Sequence, residues 1–548
     1  MSNDILRIGR VIEVDGSKTV GELEANISDL YRTHRSRKYA VGQVGSIVKV
    51  QCGDQLIFGV VTRLRMVEIE ERTTQFAARA EIGNAKWIEI ELFGQGFKTG
   101  LEEAAFVFER GISSYPLPGQ PIYLATVDEL RRVYSKPDKA TVQVGTVSQA
   151  RGLPVHLLLD ELLGKHFAVL GTTGSGKSCA VTLILEGILR DYPYGHIILL
   201  DPHNEYSRAF GNRAKVIDPT TLEIPHWLLN FEESIEIFVG RTEHAATSQT
   251  NILKDAILKA RRDFPTANMP IEKITVDTPA PYTLDALVSN ITSAKQGLTD
   301  SKAESHNKIL GKIRLLRDDK RFEFLLLPDA RVSDNLASLI GDLIRIPSEA
   351  KPLSIIDLSG VPSDVVDVVV SVLCRTVFDF ALWNAKREKV PLLLVCEEAH
   401  RYAPRSDEAA FQPTKRALAR IAKEGRKYGV GLALVTQRPS ELSESIVSQC
   451  NTIIALRMSN EQDQNFVRRA LPDNVKSLVD ALPTLRTREA LVVGQGASVP
   501  VRLIFDEIDE ARRPKSHDVS FSTAWAEEVT ERDLVSDVIR RWREQDRG

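Results

Sequence analysis

The sequence predicts an α/β fold: a parallel sheet with helices on both faces, preceded by a small β-barrel and interrupted by a helical insertion. Three observations lead there. Residues 1–145 hold short runs rich in β-branched residues, broken by Gly, Asp or Pro. Residues 146–224 and 348–511 alternate apolar runs with segments of helical spacing. Residues 225–347 show helical periodicity alone. At 548 residues the chain is too long for one core, because single cores stop growing near roughly 250–300 residues.

In the first segment the strand candidates are Ile8–Val14, Val20–Leu23, Gly45–Val50, Gln55–Arg63, Lys86–Glu91 and Pro121–Ala125. Several short strands at this spacing suggest a barrel. Between them Tyr31–Lys38 reads as a basic loop, either solvated or set against nucleic acid. In the second segment the strands are His166–Leu170, Ile197–Leu200, Leu353–Leu358, Leu392–Cys396 and Gly431–Val435, with a helix over Ser178–Arg190. Repeated strand–helix units imply parallel pairing. The insertion carries helices at Phe231–Val239, Ser248–Arg262, Leu284–Ala294 and Ser305–Leu316. Residues 512–548 form a charged tail with a helix at Glu531–Arg543.

Composition excludes several classes. Hydrophobic residues make up 43% and charged residues 26%, as in ordinary globular chains. No apolar run approaches the roughly 20 residues of a membrane helix. The opening Met1–Arg7 does not read as a secretory signal. Five scattered cysteines without a Cys-x-x-Cys pair point away from zinc and disulfides, and toward the cytoplasm. A net charge of −3 still permits nucleic acid, since a ring can turn a few basic side chains into its pore.

The chemistry begins at Gly171-Thr172-Thr173-Gly174-Ser175-Gly176-Lys177-Ser178, which fits G-x-x-x-x-G-K-[ST] between an apolar strand and a helix. Glycines let the backbone curl so that N–H groups face a phosphate, and the helix N-terminus adds partial positive charge. The ligand expected is ATP with Mg²⁺. Lys177 reaches the β- and γ-phosphates and Ser178 ligates the metal. A P-loop also needs an acid on a neighbouring strand, and Leu392–Cys396 runs into Glu397 and Glu398. Glu397 is expected to hold the Mg²⁺ shell through a water, where Asp is the usual residue. Glu398 is expected to polarise the attacking water. Gln437, at the end of its own strand, can sense the γ-phosphate through its amide. Arg426, on the helix before that strand, either completes a neighbouring subunit's site or belongs to a surface basic cluster. Asp201, Asn204 and Glu205 close a strand expected beside the P-loop strand. They either serve the metal-bound water and Glu398, or cap a helix.

In this order the residues resemble the HerA family of hexameric DNA translocases, relatives of FtsK. The resemblance rests on GTTGSGKS, DPHNEY at 201–206, EEAH at 397–400, RIAKEGRKYGVGLALVTQRPSE and LPTLRTREALVVG, and it covers nearly the whole chain. The strand-rich N-terminal segment looks like the family's HAS barrel. The resemblance implies a RecA-like P-loop core, a homohexameric ring, ATP sites at subunit junctions and double-stranded DNA in the pore. It implies that Lys165, just ahead of the P-loop strand, faces a neighbour's nucleotide, at a place where many members carry Arg. Arg401, Arg405, Lys415 and Arg416, after the paired acids, are then candidate contacts to DNA phosphates, or else solvated charges. The implied function is ATP-dependent translocation or helicase action, working with a nuclease or other effector (NurA-like, SIR2-like or similar) in DNA processing or antiviral defence. The alternative is a nucleotide-gated ring scaffold that recruits and activates an effector with little translocation.

Overall fold

Burial alternates along the N-terminal strands Lys18–Leu23 and Pro121–Leu124, so one face of each is apolar and seeks a closed interior. Nine strands lie here: β1 (Arg7–Asp15), β2 (Lys18–Leu23), β3 (Tyr31–His34), β4 (Arg37–Ala40), β5 (Ile47–Cys52), β6 (Gln55–Glu68), β7 (Asn84–Lys98), β8 (Phe106–Arg110) and β9 (Pro121–Leu124). Six of them close an antiparallel barrel in the order β2-β1-β9-β5-β6-β7, with β7 pairing back onto β2. Closure removes the exposed edges an open sheet would carry. Ile8, Val48, Ile57, Ile88, Ile90 and Ile122 fill the interior. The expected basic loop is instead a hairpin of β3 and β4, with Tyr31 opposite Ala40. Tyr31, Thr33 and Tyr39 supply β-propensity that the run of charge obscures. This computed structural model describes the chain except residues 1–3, 17, 26, 28–30, 35–36, 69–83, 100–104, 151, 219–223, 241–245, 265–268, 327, 362, 387–388, 407–410, 515–520, 527, 529–530, 532 and 545–548, so the tip of that hairpin falls outside the described residues.

The chain divides into two compact units. The first comprises Met1–Pro193, Arg387–Ala409 and Ala419–Ile508. Besides the barrel it holds β10 (Thr141–Val147), β11 (Pro154–Leu158), β12 (Phe167–Leu170), β16 (Leu392–Cys396), β17 (Val430–Thr436), β18 (Thr452–Leu456), β19 (Glu489–Gly494) and β20 (Val501–Phe505). These run side by side as β11-β10-β20-β19-β18-β12-β17-β16. The expected parallel pairing holds for β18, β12, β17 and β16. The remaining four pair antiparallel. For β19 and β20 the cause is connection length: residues 495–500 link them, too short a stretch for the crossover that parallel strands require. Strand β10 lies across the boundary expected between residues 145 and 146.

The second unit comprises Tyr194–Lys386, Ala410–Leu418 and Asp509–Gly548. Its strands β13 (His196–Asp201), β14 (Ala214–Ile217) and β15 (Leu353–Asp357) are parallel, in the order β13-β15-β14. The insertion helices form over Phe231–Phe238, Ala246–Asp263, Leu284–Lys295 and Asp300–Asp318. The first starts in a reciprocal capping box between Asn230 and Glu233. The tail carries the helix Leu534–Glu544. Among the described residues no helix is long and apolar enough to cross a membrane.

His226 lies at the heart of the insertion, 0% exposed. Its Nε2 donates to the Tyr282 carbonyl at 2.8 Å, which leaves Nδ1 without a hydrogen-bond partner. Burial pushes its pKa down to about 4, and the nearby Arg261 charge pushes the same way. An unfolded imidazole protonates near its ordinary value of about 6.5. Between about 4 and 6.5 the unfolded state therefore binds more protons, and local stability falls as pH falls. The loss should approach roughly 3 kcal/mol. Hydrogen exchange around Trp227, corrected for intrinsic rate, should accelerate between pH 6.5 and 4. His226→Gln, which can still donate to Tyr282, should flatten that profile. A wild-type profile that is already flat would contradict this reading.

Candidate active site

Parallel pairing decides where the loops go. Leu170 is level with Thr436 of β17 and with Ala455 of β18, and Cys396 is level with Leu434. The segments after β12, β16 and β17 therefore emerge at one edge. They are the P-loop, the paired acids and Gln437. Two expectations need correction. β17 stands between the P-loop strand and the acid strand, so the acids lie one place further along than a direct neighbour would. β12 is flanked by β17 and β18, so the strand ending at Asp201 is not beside it. Strand order depends on which later segment intercalates, and local pattern does not reveal that.

Within the P-loop, Gly174 and Gly176 take φ of 72° and 96°, the left-handed region that glycine enters freely. A Cβ on Gly171 would lie 2.7 Å from Ser175 Oγ and 2.8 Å from Leu456 Cβ. The Thr172 N–H and hydroxyl both donate to the Arg457 carbonyl, at 3.1 and 3.0 Å. No side chain caps the helix Lys177–Asp191, so its first turn points its N–H groups toward the loop.

Lys177 Nζ lies 2.8 Å from Glu397 Oε1, with side chains 10% and 1% exposed. Neither charge could be left alone at that depth. Glu398, next along, is 3% exposed and sits in the left-handed region at φ 50°, ψ 45°. For a residue other than glycine this costs of order 1–3 kcal/mol and is typical of functional positions. Its Oε2 is buried with no hydrogen-bond partner. His400 Nδ1 lies 3.2 Å from that oxygen, yet its aligned bond is with Thr436 Oγ1 at 2.9 Å. Burial alone would raise the Glu398 pKa. The adjacent His400, the Lys177 charge and the Gln437 N–H outweigh it and hold the carboxyl below its usual range. Glu398 is thus a buried, ionised carboxylate with an unused acceptor oxygen, as a base acting on water requires. The Gln437 amide oxygen accepts from Thr173 of the P-loop at 2.5 Å.

Lys165 and Arg426 lie at the other end of the strands. Lys165 pairs with Glu161 at 2.5 Å and bonds Gln495. Arg426 is exposed on the helix Gln412–Tyr428. Lys165 foremost, and Arg426 more weakly, hold Glu161 below the usual carboxylate range, so the two cations share one patch. At about 3.3 Å per residue, Lys165 and Gly171 stand roughly 15–20 Å apart, beyond reach of their own P-loop. His166 secures this end and was not singled out from the sequence, where it reads as a strand residue. It is 2% exposed. Its Nε2 donates to the Ala422 carbonyl at 3.1 Å, and its Nδ1 accepts from the Leu432 N–H at 3.0 Å. Together these bonds fix a neutral tautomer that ties β12, β17 and the Arg426 helix together.

In the second unit Asp201 accepts from the N–H groups of His203 and Tyr206 at 3.2 and 3.0 Å, bonds that hold the turn after β13. Of the four DNA candidates, Arg401 and Arg405 belong to the first unit and Lys415 and Arg416 to the second. Arg416 pairs with Glu232 within the second unit. Arg401, in the first, is exposed. Arg405 lines a cleft of about 580 Å³ with Arg438, Arg469, Asn460, Glu441 and Asp463, and Arg438 pairs with Glu441 at 3.0 Å. Sequence reading missed Arg438 and Arg469 because one follows β17 and the other lies in the last turn of the helix Glu461–Ala470, and nothing local brings them together.

The family model described as "Helicase HerA, central domain" matches residues 142–377. The chain is 29% identical over 445 residues to the "DNA double-strand break repair helicase HerA" of Pyrococcus furiosus, covering 72% of this chain and 74% of that one. It is 27% identical over 434 residues to the protein of the same name from Sulfolobus acidocaldarius, covering 77% and 80%. Among solved structures, VirB4 of Thermoanaerobacter pseudethanolicus is similar at a TM-score of 0.48 and 14% identity, covering 69% of this chain and 99% of that one.

If Glu398 is the base, Glu398→Gln should lower ATP turnover by about 10²–10⁴ while leaving the Kd for ATP unchanged, because an amide keeps the shape but cannot take the proton. Equilibrium binding and steady-state turnover on the same preparation check this. Loss of ATP binding in that variant would show a role in holding nucleotide instead.

Proposed function

Because this chain belongs to the HerA family of ATPases, we propose that it is an ATP-driven motor that translocates along double-stranded DNA as a homohexameric ring. The observation that carries this reading is the split of the site. Phosphate loop, acids and Gln437 share one strand edge, while Lys165 and Arg426 stand at the opposite end. A head-to-tail ring brings one subunit's cations to the next subunit's phosphates, and closure repeats the junction.

In each site Gly171–Ser178 cradles the triphosphate. Lys177 exchanges Glu397 for the γ-phosphate. Ser178, with Glu397 through a water, offers the hard oxygen donors that suit Mg²⁺, which when bound neutralises phosphate charge. Glu398 takes the proton of the attacking water. Gln437 exchanges its contact with Thr173 for one that depends on the γ-phosphate. Arg426, and Lys165 beside it, stabilise charge developing next door, an effect that reaches about 10³–10⁵ in rate elsewhere.

The relatives named above are DNA repair helicases, which supports DNA as the track. On this chain Arg438 directly follows Gln437 and lines the cleft with Arg405 and Arg469, so one loop joins nucleotide sensing to a surface of mixed charge that presents three arginines. In this reading residues 1–145 form the barrel, 146–224 and 348–511 the ATPase core, 225–347 the insertion and 512–548 a brace. The motor works in the cytoplasm with a partner nuclease or other effector, NurA-like or SIR2-like, in DNA processing or antiviral defence.

Duplex DNA should raise ATP turnover. Arg405→Ala with Arg438→Ala should reduce that stimulation, spare basal turnover and flatten the salt dependence of binding by about 0.9 in log–log slope per lost phosphate contact. Wild-type turnover that ignores DNA would favour a ring scaffold that recruits an effector. Unchanged affinity and slope in the double variant would move the DNA path to another surface.

A further inference from the structure

Arg488 lies in the stretch LRTREALVVG, just before β19. It has φ of 67°, a left-handed conformation that L side chains rarely adopt. Its backbone is held from both sides. The Arg488 N–H donates to the Ser175 carbonyl of the P-loop at 2.9 Å, and its own carbonyl accepts from the Phe505 N–H at 2.9 Å. Contact with the loop is close. A Cβ on Gly176, the residue before Lys177, would lie 3.1 Å from Arg488 N and 3.2 Å from Arg488 Cγ. The side chain therefore leaves directly from the wall of the phosphate cradle. Its guanidinium, 32% exposed, meets Glu507 at 2.6 Å, a carboxylate that is itself 75% exposed.

Sheet order gives this cation a place along the nucleotide. β17 and β16, carrying Gln437 and the two acids, lie on one side of β12, and β18 and β19 lie on the other. The γ-phosphate must face the acids. The remainder of the nucleotide is left to the side where Arg488 stands. We infer that Arg488 binds the α-phosphate of ATP and ADP, leaving Glu507 to do so. The inference rests on the reading of Gly171–Ser178 as a nucleotide cradle. An ion pair as exposed as Arg488–Glu507 is weak, so a phosphate held by the loop displaces it readily. A left-handed arginine persists only where its surroundings determine it, and here the P-loop and β20 both do so.

Arg488→Gly provides the test, since glycine adopts the same backbone conformation without cost and keeps both backbone bonds. Calorimetry with Mg-ADP and with a non-hydrolysable Mg-ATP analogue should show both Kd values rising by about tenfold, the loss expected for one charge-assisted hydrogen bond. The nucleotide-free melting temperature should not fall, whereas loss of a merely structural contact would lower it. Glu507→Gln should tighten ADP, because Arg488 is then released to the phosphate. Wild-type ADP affinity in Arg488→Gly overturns this inference alone. Weakened ATP analogue with unchanged ADP overturns it too, by moving Arg488 to the γ-phosphate. A wild-type chain that binds neither nucleotide overturns the cradle reading and this inference with it.

Discussion

Parallel pairing of β12 with β17, and of β17 with β16, is the constraint on which the rest of the site depends. It brings three segments, the first more than two hundred residues ahead of the other two, to one edge. That edge then faces an electrostatic problem. Lys177 and Glu397 are both buried, and breaking such a pair costs about 3–5 kcal/mol because one charge is left uncompensated. Lys177 can leave Glu397 only for another anion, and a triphosphate on the loop is that anion. A glutamate where aspartate is usual fits this geometry, since the longer side chain reaches Lys177 directly at 2.8 Å.

The same pairing sends Lys165 and Arg426 away from the nucleotide edge of their own subunit. His166 keeps them in register. Its imidazole joins the start of β12, the helix that bears Arg426 and the third residue of β17, Leu432. A change at Gln437 is therefore at one end of a strand whose other end is tied to Lys165 and Arg426. In the proposed ring such an arrangement suits sequential firing, because hydrolysis in one subunit would alter the cations it offers to the next.

Much of this was legible in the sequence, and the reasons are physical. The P-loop and the strand ending in Glu397 and Glu398 are local patterns, with glycines placed where φ must be positive and apolar runs where a strand is buried. The barrel was legible from short alternating strands, and the insertion from its 3.6-residue period. What was hidden depends on partners distant in sequence. The antiparallel half of the sheet, the place of β17 between β12 and β16, and the hairpin at Tyr31–Ala40 all require knowing which segment pairs with which. His400 stood in the quoted EEAH run, but its position between Glu398 and Thr436 appears only in three dimensions. Arg488 drew no attention because nothing local marks an arginine as left-handed.

In the proposed ring each site is made of two halves on different subunits. Mixing Lys177→Ala chains with Arg426→Ala chains tests this most directly, since each carries the half that the other lacks. Neither variant alone should turn over ATP appreciably. Mixed rings should recover turnover at junctions where an intact P-loop of the Arg426→Ala chain meets the intact Arg426 of the Lys177→Ala chain. Hybrid rings that form, as shown by differently tagged subunits in one assembly, yet recover no turnover would contradict the claim.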